Sequence, residues 1–237
     1  MNGQYVNTNT ENVAEARGKE DLREMTTYLR GFFQGAEMFT AMKALGYTLQ
    51  KHKGQTRKSG EPYAVHPLWM ASYAVALGIK DDNTLAIILL HDVCEDCGIA
   101  PEYLPFNSVV RTGVKYMTIA PFADEPKSST KLRYFNELLE CREALICKAI
   151  DRFSNLSTME GVLSEEAIVK NVKETYDLLL PVLKRGKDQW PDYSNLLFVL
   201  RANLKSVCRN LAVAHHVEPY IYDFGFAVRD EDVETEV

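Results

Sequence analysis

A run of six apolar residues at positions 85–90, Leu-Ala-Ile-Ile-Leu-Leu, restricts the fold of this chain more than any other feature. Such a run is typical of a helix that is buried on nearly all sides. The chain continues directly into His91 and Asp92, and Glu95 and Asp96 follow one turn later. At about 100° per residue, we expect an unbroken helix to place these four side chains on one arc of roughly 140°.

The acidic end of this helix predicts a positively charged partner. Three carboxylates in a last turn are unfavourable, because the helix macrodipole places partial negative charge there. A bound cation would remove the conflict, so our first hypothesis is a metal site at the end of a buried helix that stops at Gly98. The alternative is an ordinary exposed helix end that is acidic.

The composition is that of a folded globular protein with one sizeable domain: 237 residues, 46% of them hydrophobic. The net charge of −6 argues against nucleic-acid binding by the whole surface but is compatible with a local basic pocket. No apolar run approaches the roughly 20 residues of a membrane-spanning helix, and the N-terminus has no signal-peptide pattern. We therefore expect a cytoplasmic protein with no nucleic-acid or membrane partner.

The five cysteines are typical of reduced cytosolic thiols, since their number is odd and no secretion signal precedes them. Cys94 and Cys97 form a Cys-x-x-Cys pair. A zinc knuckle would need a second pair and a redox dithiol a βαβ pattern, and the sequence contains neither. We interpret these two thiols as structural or incidental.

Helical periodicity runs along the chain, and no segment shows convincing strand alternation or an Asn-Gly hairpin signal. The sequence therefore predicts an all-α fold, a compact domain of roughly eight to ten helices. We place this domain at residues 19–218, between a flexible N-terminal arm at 1–18 and an acidic C-terminal tail at 219–237. Within it, Ser164 should begin a helix that Pro181 kinks.

A second largely apolar stretch, residues 144–150, also leads into polar residues. Asp151, Asn155 and Thr158 follow it at a spacing that puts them on one helix face. An aspartate directly after a buried run is costly unless it has a partner. The alternative is an amphipathic helix with a solvated side.

A cationic loop precedes the central helix. Residues 51–62 contain four Lys or Arg residues, two glycines and a proline, but they do not form a P-loop, because Glu61 follows Gly60. The loop is either a solvated surface loop or an anion clamp. His66 follows it just before a helix, a position where histidine is more often a cap or packing residue than a ligand.

Two histidines and two aspartates from three segments form a candidate metal shell: His66, His91, Asp92 and Asp151. Two neutral imidazoles and two carboxylates balance the charge of a divalent cation, and mixed nitrogen and oxygen ligands suit manganese, iron or zinc better than calcium. Such an ion lowers the pKa of a bound water. Glu95 and Asp96 could orient this water and handle its proton.

The order His, His-Asp, Asp resembles the pattern of the HD-domain phosphohydrolases, and three segments resemble the RelA/SpoT-type alarmone hydrolase domain more specifically. The segment at 57–67, Arg-Lys-Ser-Gly-Glu-Pro-Tyr-Ala-Val-His-Pro, is similar to that family's entry loop. The segment at 91–96 is similar to its His-Asp-x-x-Glu-Asp, and the segment at 148–158 to its Lys-Leu-Ala-Asp-Arg-x-x-Asn helix. The segments occur in the family's order and at near-family spacing, within about residues 38–160.

The resemblance implies a compact HD-domain architecture and a manganese-dependent hydrolase that removes the 3′-pyrophosphate from ppGpp or pppGpp, giving GDP or GTP and pyrophosphate. It implies that manganese, or another divalent transition metal, is bound by His66, His91, Asp92 and Asp151. It implies that Glu95 and Asp96 are the catalytic acidic pair. It also implies nucleotide contacts by five residues: Arg57, Lys58, Ser59, Asn155 and Thr158. A cationic loop beside a metal suits a substrate with many phosphate charges.

The chain departs from the family at several positions. Cys94 and Cys97 flank the acidic pair, and Ser154 and Ser157 stand where synthetase-linked members usually carry His and Arg. Since about twenty residues follow Val217, we expect a small stand-alone hydrolase. Two alternatives remain: an HD phosphohydrolase of another nucleotide, such as an adenosine alarmone or a dinucleotide cofactor, and a non-catalytic nucleotide-binding module. The sequence does not predict an oligomeric state.

Overall fold

The structure is a computed structural model that describes residues 8–123 and 125–222. Over these ranges the chain forms α-helices joined by short loops and 3₁₀ turns, and no strand occurs, so the all-α prediction is confirmed. In chain order the helices are α1 (Thr8–Gly35), α2 (Phe39–Lys51), α3 (Val65–Ala76), α4 (Asp82–Leu90), α5 (Val93–Cys97), α6 (Ser108–Met117), α7 (Lys127–Glu137), α8 (Arg142–Thr158), α9 (Glu165–Glu174), α10 (Leu180–Gln189) and α11 (Ser194–Ala214).

The predicted N-terminal arm differs from what the structure shows. Residues 8–18 are helical and form the start of α1, while residues 1–7 lie outside the described residues. Good helix formers such as Ala14 and Ala16 favour this outcome. So does packing, because a Cβ at Gly18 would lie 2.8 Å from side-chain atoms of Glu61 and Pro62. The acidic tail lies outside the described residues from position 223 onward, and the predicted domain boundaries remain predictions.

The chain divides into two compact units, Met1–Ser154 and Asn155–Val237. In the first unit, α4 packs against α2, α3 and α6. Every α4 residue from Thr84 to Leu90 is buried, as the uninterrupted apolar run predicts. Helix α6 approaches α4 so closely that a Cβ at Gly113 would collide with the side chain of Ile87.

The side chains of two consecutive aspartates cap the N-termini of two different helices in this unit. Asp81 caps its own helix α4, where its Oδ1 accepts from the backbone N–H of Thr84 at 2.7 Å. Asp82 instead accepts from the backbone N–H groups of Thr40, at 3.0 Å, and Ala41, at 2.7 Å, in the first turn of α2. Helix α2 receives no cap from the side chain of its own N-cap residue, so α4 supplies it.

The predicted unbroken helix through positions 91–96 is wrong. Helix α4 ends at Leu90 and the short helix α5 begins at Val93. His91 and Asp92 lie between them with backbone angles near the helical region, and hydrophobic periodicity therefore does not reveal the break. Gly98, with φ of 64°, ends α5 in the left-handed conformation, as predicted.

In the second unit, α11 packs against α9 and α10. Ser164 caps α9 as predicted, accepting from the N–H of Ala167 at 3.4 Å. Where a kink at Pro181 was predicted, a π-helical turn, Thr175–Leu179, precedes the proline. Proline has no N–H to donate to the preceding turn, and a wider turn is one way to accommodate that loss. In the described part of the chain, no helix combines the length and apolar character that a membrane crossing requires.

Candidate metal centre

Four polar side chains from three places in the first unit meet at one point. His66 is the second residue of α3, His91 and Asp92 form the junction of α4 and α5, and Asp151 lies within α8. Ligand atoms of His66, His91 and Asp92 lie within 4.8 Å of one another. Oδ1 of Asp151 lies 3.3 Å from Nε2 of His66 and 3.8 Å from Nε2 of His91. The four predicted side chains therefore lie in one cluster, and their role as metal ligands remains a prediction.

His91 presents an unpaired nitrogen to this cluster. Its Nδ1 lies 2.9 Å from the carbonyl oxygen of Ile88, an acceptor, so Nδ1 carries a proton and donates. Its Nε2 is buried and makes no hydrogen bond, although Oδ2 of Asp92 lies 3.0 Å away. A nitrogen lone pair facing a carboxylate oxygen at this distance needs a cation between them or a proton on the nitrogen.

The pKa of His91 agrees with the need for a positive charge at Nε2. Burial lowers the pKa of His91, but the carboxylates of Asp92 and Asp151 outweigh burial and raise it to about 9. The cluster therefore attracts positive charge to Nε2. A divalent ion would compete with a proton for this position, and the donor set fits an ion of that kind.

His66 is held in the form that a metal ligand requires. Its side chain is buried, and its Nδ1 lies 3.1 Å from Oγ of Ser154, so that its Nε2 faces Asp151. Burial lowers the pKa of His66, the nearby positive charges of His91 and Arg57 act in the same direction, and together they outweigh the carboxylate of Asp151, which raises it. The imidazole is therefore neutral. Ser154 entered the sequence interpretation only as a departure from the family pattern, and its contact with His66 was not predicted.

Each carboxylate is oriented by a neighbour outside the cluster. Lys148 Nζ lies 2.9 Å from Oδ2 of Asp151, which leaves Oδ1 facing the imidazoles. The hydroxyl of Tyr63 donates to Oδ2 of Asp92 at 2.6 Å. Although burial raises the pKa of both aspartates, His91 holds that of Asp92 below its ordinary value, and Lys148 does the same for Asp151. Both are therefore ionised.

Tyr63 is a further residue that the sequence interpretation missed as part of the site. Burial raises its pKa, and the charges of Asp92 and Asp96 raise it further, so the phenol keeps its proton. Its ring stacks on His52 with centroids 4.6 Å apart, and Nδ1 of His52 lies 2.6 Å from Oε1 of Gln55. The only sequence signal for Tyr63 was its place in the loop that precedes His66.

The predicted acidic pair lies on α5, directly after Asp92, and both side chains are exposed. Oε1 of Glu95 accepts from the backbone N–H of Ile119 at 3.0 Å. Asp96 interacts with the hydroxyl of Tyr63, which also donates to Asp92. Asp96 therefore borders the cluster, Glu95 lies beside it in sequence on α5, and the catalytic role of the pair remains a prediction.

The cationic loop forms a tight turn that leads into α3. The N–H of Arg57 donates to the carbonyl of Glu61 at 2.9 Å, and Gly60, with φ of 91°, allows the turn. Nε of Arg57 lies 3.9 Å from the Glu61 carboxylate, and its charge acts on His66, so Arg57 lies near the cluster. Lys58 is exposed and Ser59 is half-buried.

Asn155 and Thr158 belong to the second unit, at the end of α8, and their predicted nucleotide contacts stay predictions. Cys94 and Cys97 are free thiols, and burial raises the pKa of Cys94 to about 11. Sγ of Cys97 lies 3.7 Å from the carbonyl oxygen of Lys51.

No protein-family model matches the chain. Among curated proteins, it is 28% identical over 169 residues to a probable GTP pyrophosphokinase of Mycobacterium leprae, covering 69% of this chain and 21% of that protein. A GTP pyrophosphokinase of Brucella melitensis is 32% identical over 150 residues, 60% of this chain and 20% of the relative. One of Myxococcus xanthus is 33% identical over 158 residues, 62% and 21%. The chain spans about a fifth of the length of these relatives.

Proposed function

We propose that this protein is a divalent-metal-dependent hydrolase that removes the 3′-pyrophosphate from ppGpp or pppGpp, giving GDP or GTP and pyrophosphate. The observation that carries the proposal is the meeting of two buried imidazoles and two ionised aspartates at a buried, unpaired nitrogen of His91. The relatives named as GTP pyrophosphokinases support alarmone metabolism, since an enzyme so named attaches to GTP the group that the proposed hydrolase would remove.

The four clustered side chains would hold the metal: His66, His91, Asp92 and Asp151. Metal binding would displace the proton that the raised pKa of His91 favours. The resulting two neutral imidazoles and two carboxylates match the charge of a divalent ion, and this donor set favours manganese or a similar transition metal over calcium. When bound, such an ion lowers the pKa of a coordinated water and withdraws charge from a phosphoryl oxygen. Ser154, Tyr63 and Lys148 would orient the ligands from outside, as second-layer hydrogen bonds do at metal sites generally.

The cationic loop would bind the phosphates of the substrate. Arg57 lies close enough to the cluster for its charge to act on His66, and Lys58 is exposed beside it. A guanidinium can bind phosphate in a bidentate manner, and an ammonium supplies a point charge. The loop would therefore hold the diphosphate beside the metal ligands, with Ser59, Asn155 and Thr158 as further proposed contacts to the nucleotide.

Glu95 and Asp96 would manage the proton of the attacking water. The water oxygen bonds to the phosphorus attached to O3′, and the bond between that phosphorus and O3′ breaks. The nucleotide leaves with a 3′-hydroxyl, and pyrophosphate carries the oxygen from water. Glu95 or Asp96 accepts the proton that the water loses, and a proton returns from this acidic pair to the leaving O3′; positioned carboxylates commonly transfer protons in this way.

A nucleotide panel separates this proposal from its two alternatives. The manganese-loaded protein is incubated with ppGpp, pppGpp, an adenosine analogue of ppGpp and a phosphorylated dinucleotide cofactor, and the products are separated by anion-exchange chromatography. We expect preferential release of pyrophosphate from the guanosine compounds. Preference for another nucleotide would replace the substrate assignment, and binding without turnover of any of them would favour a non-catalytic module.

Two histidine variants control this assay. His91→Ala should abolish turnover because it removes a metal ligand. His216→Asn changes an exposed histidine in the second unit whose φ of 52° asparagine tolerates, and it should retain full activity. Equal activity of both variants would show that the measured hydrolysis does not come from the proposed site.

A further inference from the structure

One guanidinium holds the segment that follows α6. We call residues 119–123 and 125 the clamp segment. It runs from the end of α6 towards α7 and is mostly exposed. Arg133 of α7 reaches back to it: its NH2 group donates to the carbonyl of Ala120 at 2.7 Å, and its guanidinium lies over the ring of Phe122 at 4.1 Å. Arg133 thus contacts an exposed segment without regular secondary structure at two of its residues.

Glu125, the last residue of the clamp segment, binds the same guanidinium. Its carboxylate accepts both Nε and NH2 of Arg133, at 3.0 and 2.9 Å, a two-pronged geometry available to arginine and not to lysine. The same carboxylate accepts from the backbone N–H of Phe122 at 3.3 Å and from the hydroxyl of Thr130 at 3.0 Å. NH1 of Arg133 is held by Glu137 at 3.0 Å. Every guanidinium nitrogen of Arg133 therefore has a partner.

The clamp segment in turn holds Glu95. The backbone N–H of Ile119, the first residue of the segment, donates to Oε1 of Glu95 at 3.0 Å. The side chain of Glu95 is exposed, so without this bond it would be free to sample several rotamers in water. The position of the Glu95 carboxylate therefore depends on where the clamp segment lies.

We propose that Arg133 is a positioning residue for Glu95 and acts through Glu125 and the clamp segment. The inference rests on the proposed hydrolase function, because it assigns Arg133 a part in that reaction. The hydrogen bonds and ring contact described for Arg133 reach neither the metal ligands nor the cationic loop. Its loss should consequently disturb the proton-handling group and leave metal and nucleotide binding in place.

The primary test is steady-state kinetics of Arg133→Gln with ppGpp and saturating manganese. We expect kcat to fall by about tenfold or more, the scale of a misplaced catalytic group, with KM and bound manganese within about twofold of wild type. Arg133→Lys keeps the charge but loses the two-pronged contact, and it should recover only part of the loss. Arg111→Gln, on α6, removes an arginine with one 3.4 Å contact to the carbonyl of Glu102 and should leave kcat unchanged.

A double-mutant comparison distinguishes positioning from general damage. In a Glu95→Gln background the proton-accepting carboxylate is already absent, so adding Arg133→Gln should lower kcat no further. Independent, multiplicative losses would overturn the inference, as would an unchanged kcat in Arg133→Gln. A combined loss of manganese and of kcat would also overturn it, because the effect would then reach the metal centre.

Hydrogen exchange provides a readout that needs no substrate. We expect the amides of Ile119 and Phe122 to exchange faster in Arg133→Gln than in wild type, while amides of the buried helix α4 remain protected. Exchange of the Ile119 amide at the wild-type rate would contradict the claim that Arg133 holds the clamp segment in place. Failure of the proposed function would appear differently, as a wild-type protein that binds manganese but does not hydrolyse ppGpp.

Discussion

Nε2 of His91 lies 3.0 Å from Oδ2 of Asp92 without a hydrogen bond between them, and each side chain is fixed from its far side. The carbonyl of Ile88 holds Nδ1 of His91, and the hydroxyl of Tyr63 holds the carboxylate of Asp92. Two neighbouring residues are thereby held in an arrangement that favours a cation between them. The proposed metal site depends on this arrangement of His91 and Asp92.

Ser154 should affect metal affinity through His66. Its Oγ lies 3.1 Å from Nδ1 of His66, so Ser154→Ala should leave that ring free to change its orientation. We expect manganese affinity to fall by roughly 10- to 100-fold, as for other outer-layer partners of metal-binding histidines. Calorimetric titration with manganese measures it. The control is Ser72→Ala, which removes a hydroxyl from α3, the helix that carries His66. Equal manganese affinities for the two variants would contradict the assigned contact.

Arg57→Ala and Lys58→Ala should mainly weaken substrate binding. Phosphate contacts that exist in both the bound substrate and the transition state raise KM more than they lower kcat when they are lost. Lys53→Ala, in the same loop, is the matched control, since we assign it no nucleotide contact. Steady-state kinetics with ppGpp measures the effect, and an unchanged KM in both variants would show that the loop does not bind the substrate.

Glu95→Gln and Asp96→Asn should separate metal binding from catalysis. Neither carboxylate is needed for the four-ligand shell, so manganese content should be unchanged in both variants. Nucleotide binding should persist and could become tighter, because carboxylate–phosphate repulsion decreases. Turnover should fall by a factor on the order of 10² or more. Full activity of both amide variants would refute the proposed proton transfer while leaving the metal site intact.

Asp82 should contribute to stability through a helix other than its own. Asp82→Ala removes the acceptor for two N–H groups at the start of α2, and we expect a loss of about 1–2 kcal/mol in the free energy of unfolding. Asp188→Ala removes an exposed carboxylate from α10 and should change stability by less than about 0.5 kcal/mol. Urea denaturation followed by circular dichroism measures both. Equal losses would contradict a capping role for Asp82.

The sequence predicts the helices well because each depends on local signals. The apolar run at 85–90, the cap at Ser164 and the stop at Gly98 all act within a few residues, and the structure contains each of them. The junction at His91 and Asp92 was missed because their backbone angles stay near helical values. The helical start of α1 was missed because the packing of Gly18 against Pro62 is a contact between distant parts of the chain.

The candidate site follows the same division. Residues with an unusual local setting, such as Asp151 after an apolar stretch, could be singled out from the sequence. Tyr63 and Ser154 could not, because each is informative only through a tertiary contact. Lys148 was missed although its contact with Asp151 is local, three residues apart on one helix. The part of Arg133 likewise depends on how α7 meets the clamp segment, which no periodic pattern in the sequence encodes.

The most direct test of the central claim is turnover of ppGpp by protein stripped of metal and then titrated with manganese. We expect the stripped wild-type protein to be inactive, and one equivalent of manganese to restore release of pyrophosphate and GDP in equal amounts while raising the melting temperature. His91→Ala should show neither response, whereas His216→Asn should show both. Undiminished hydrolysis by the stripped protein, or stoichiometric manganese binding by His91→Ala, would contradict the assignment of this cluster as the metal centre of an alarmone hydrolase.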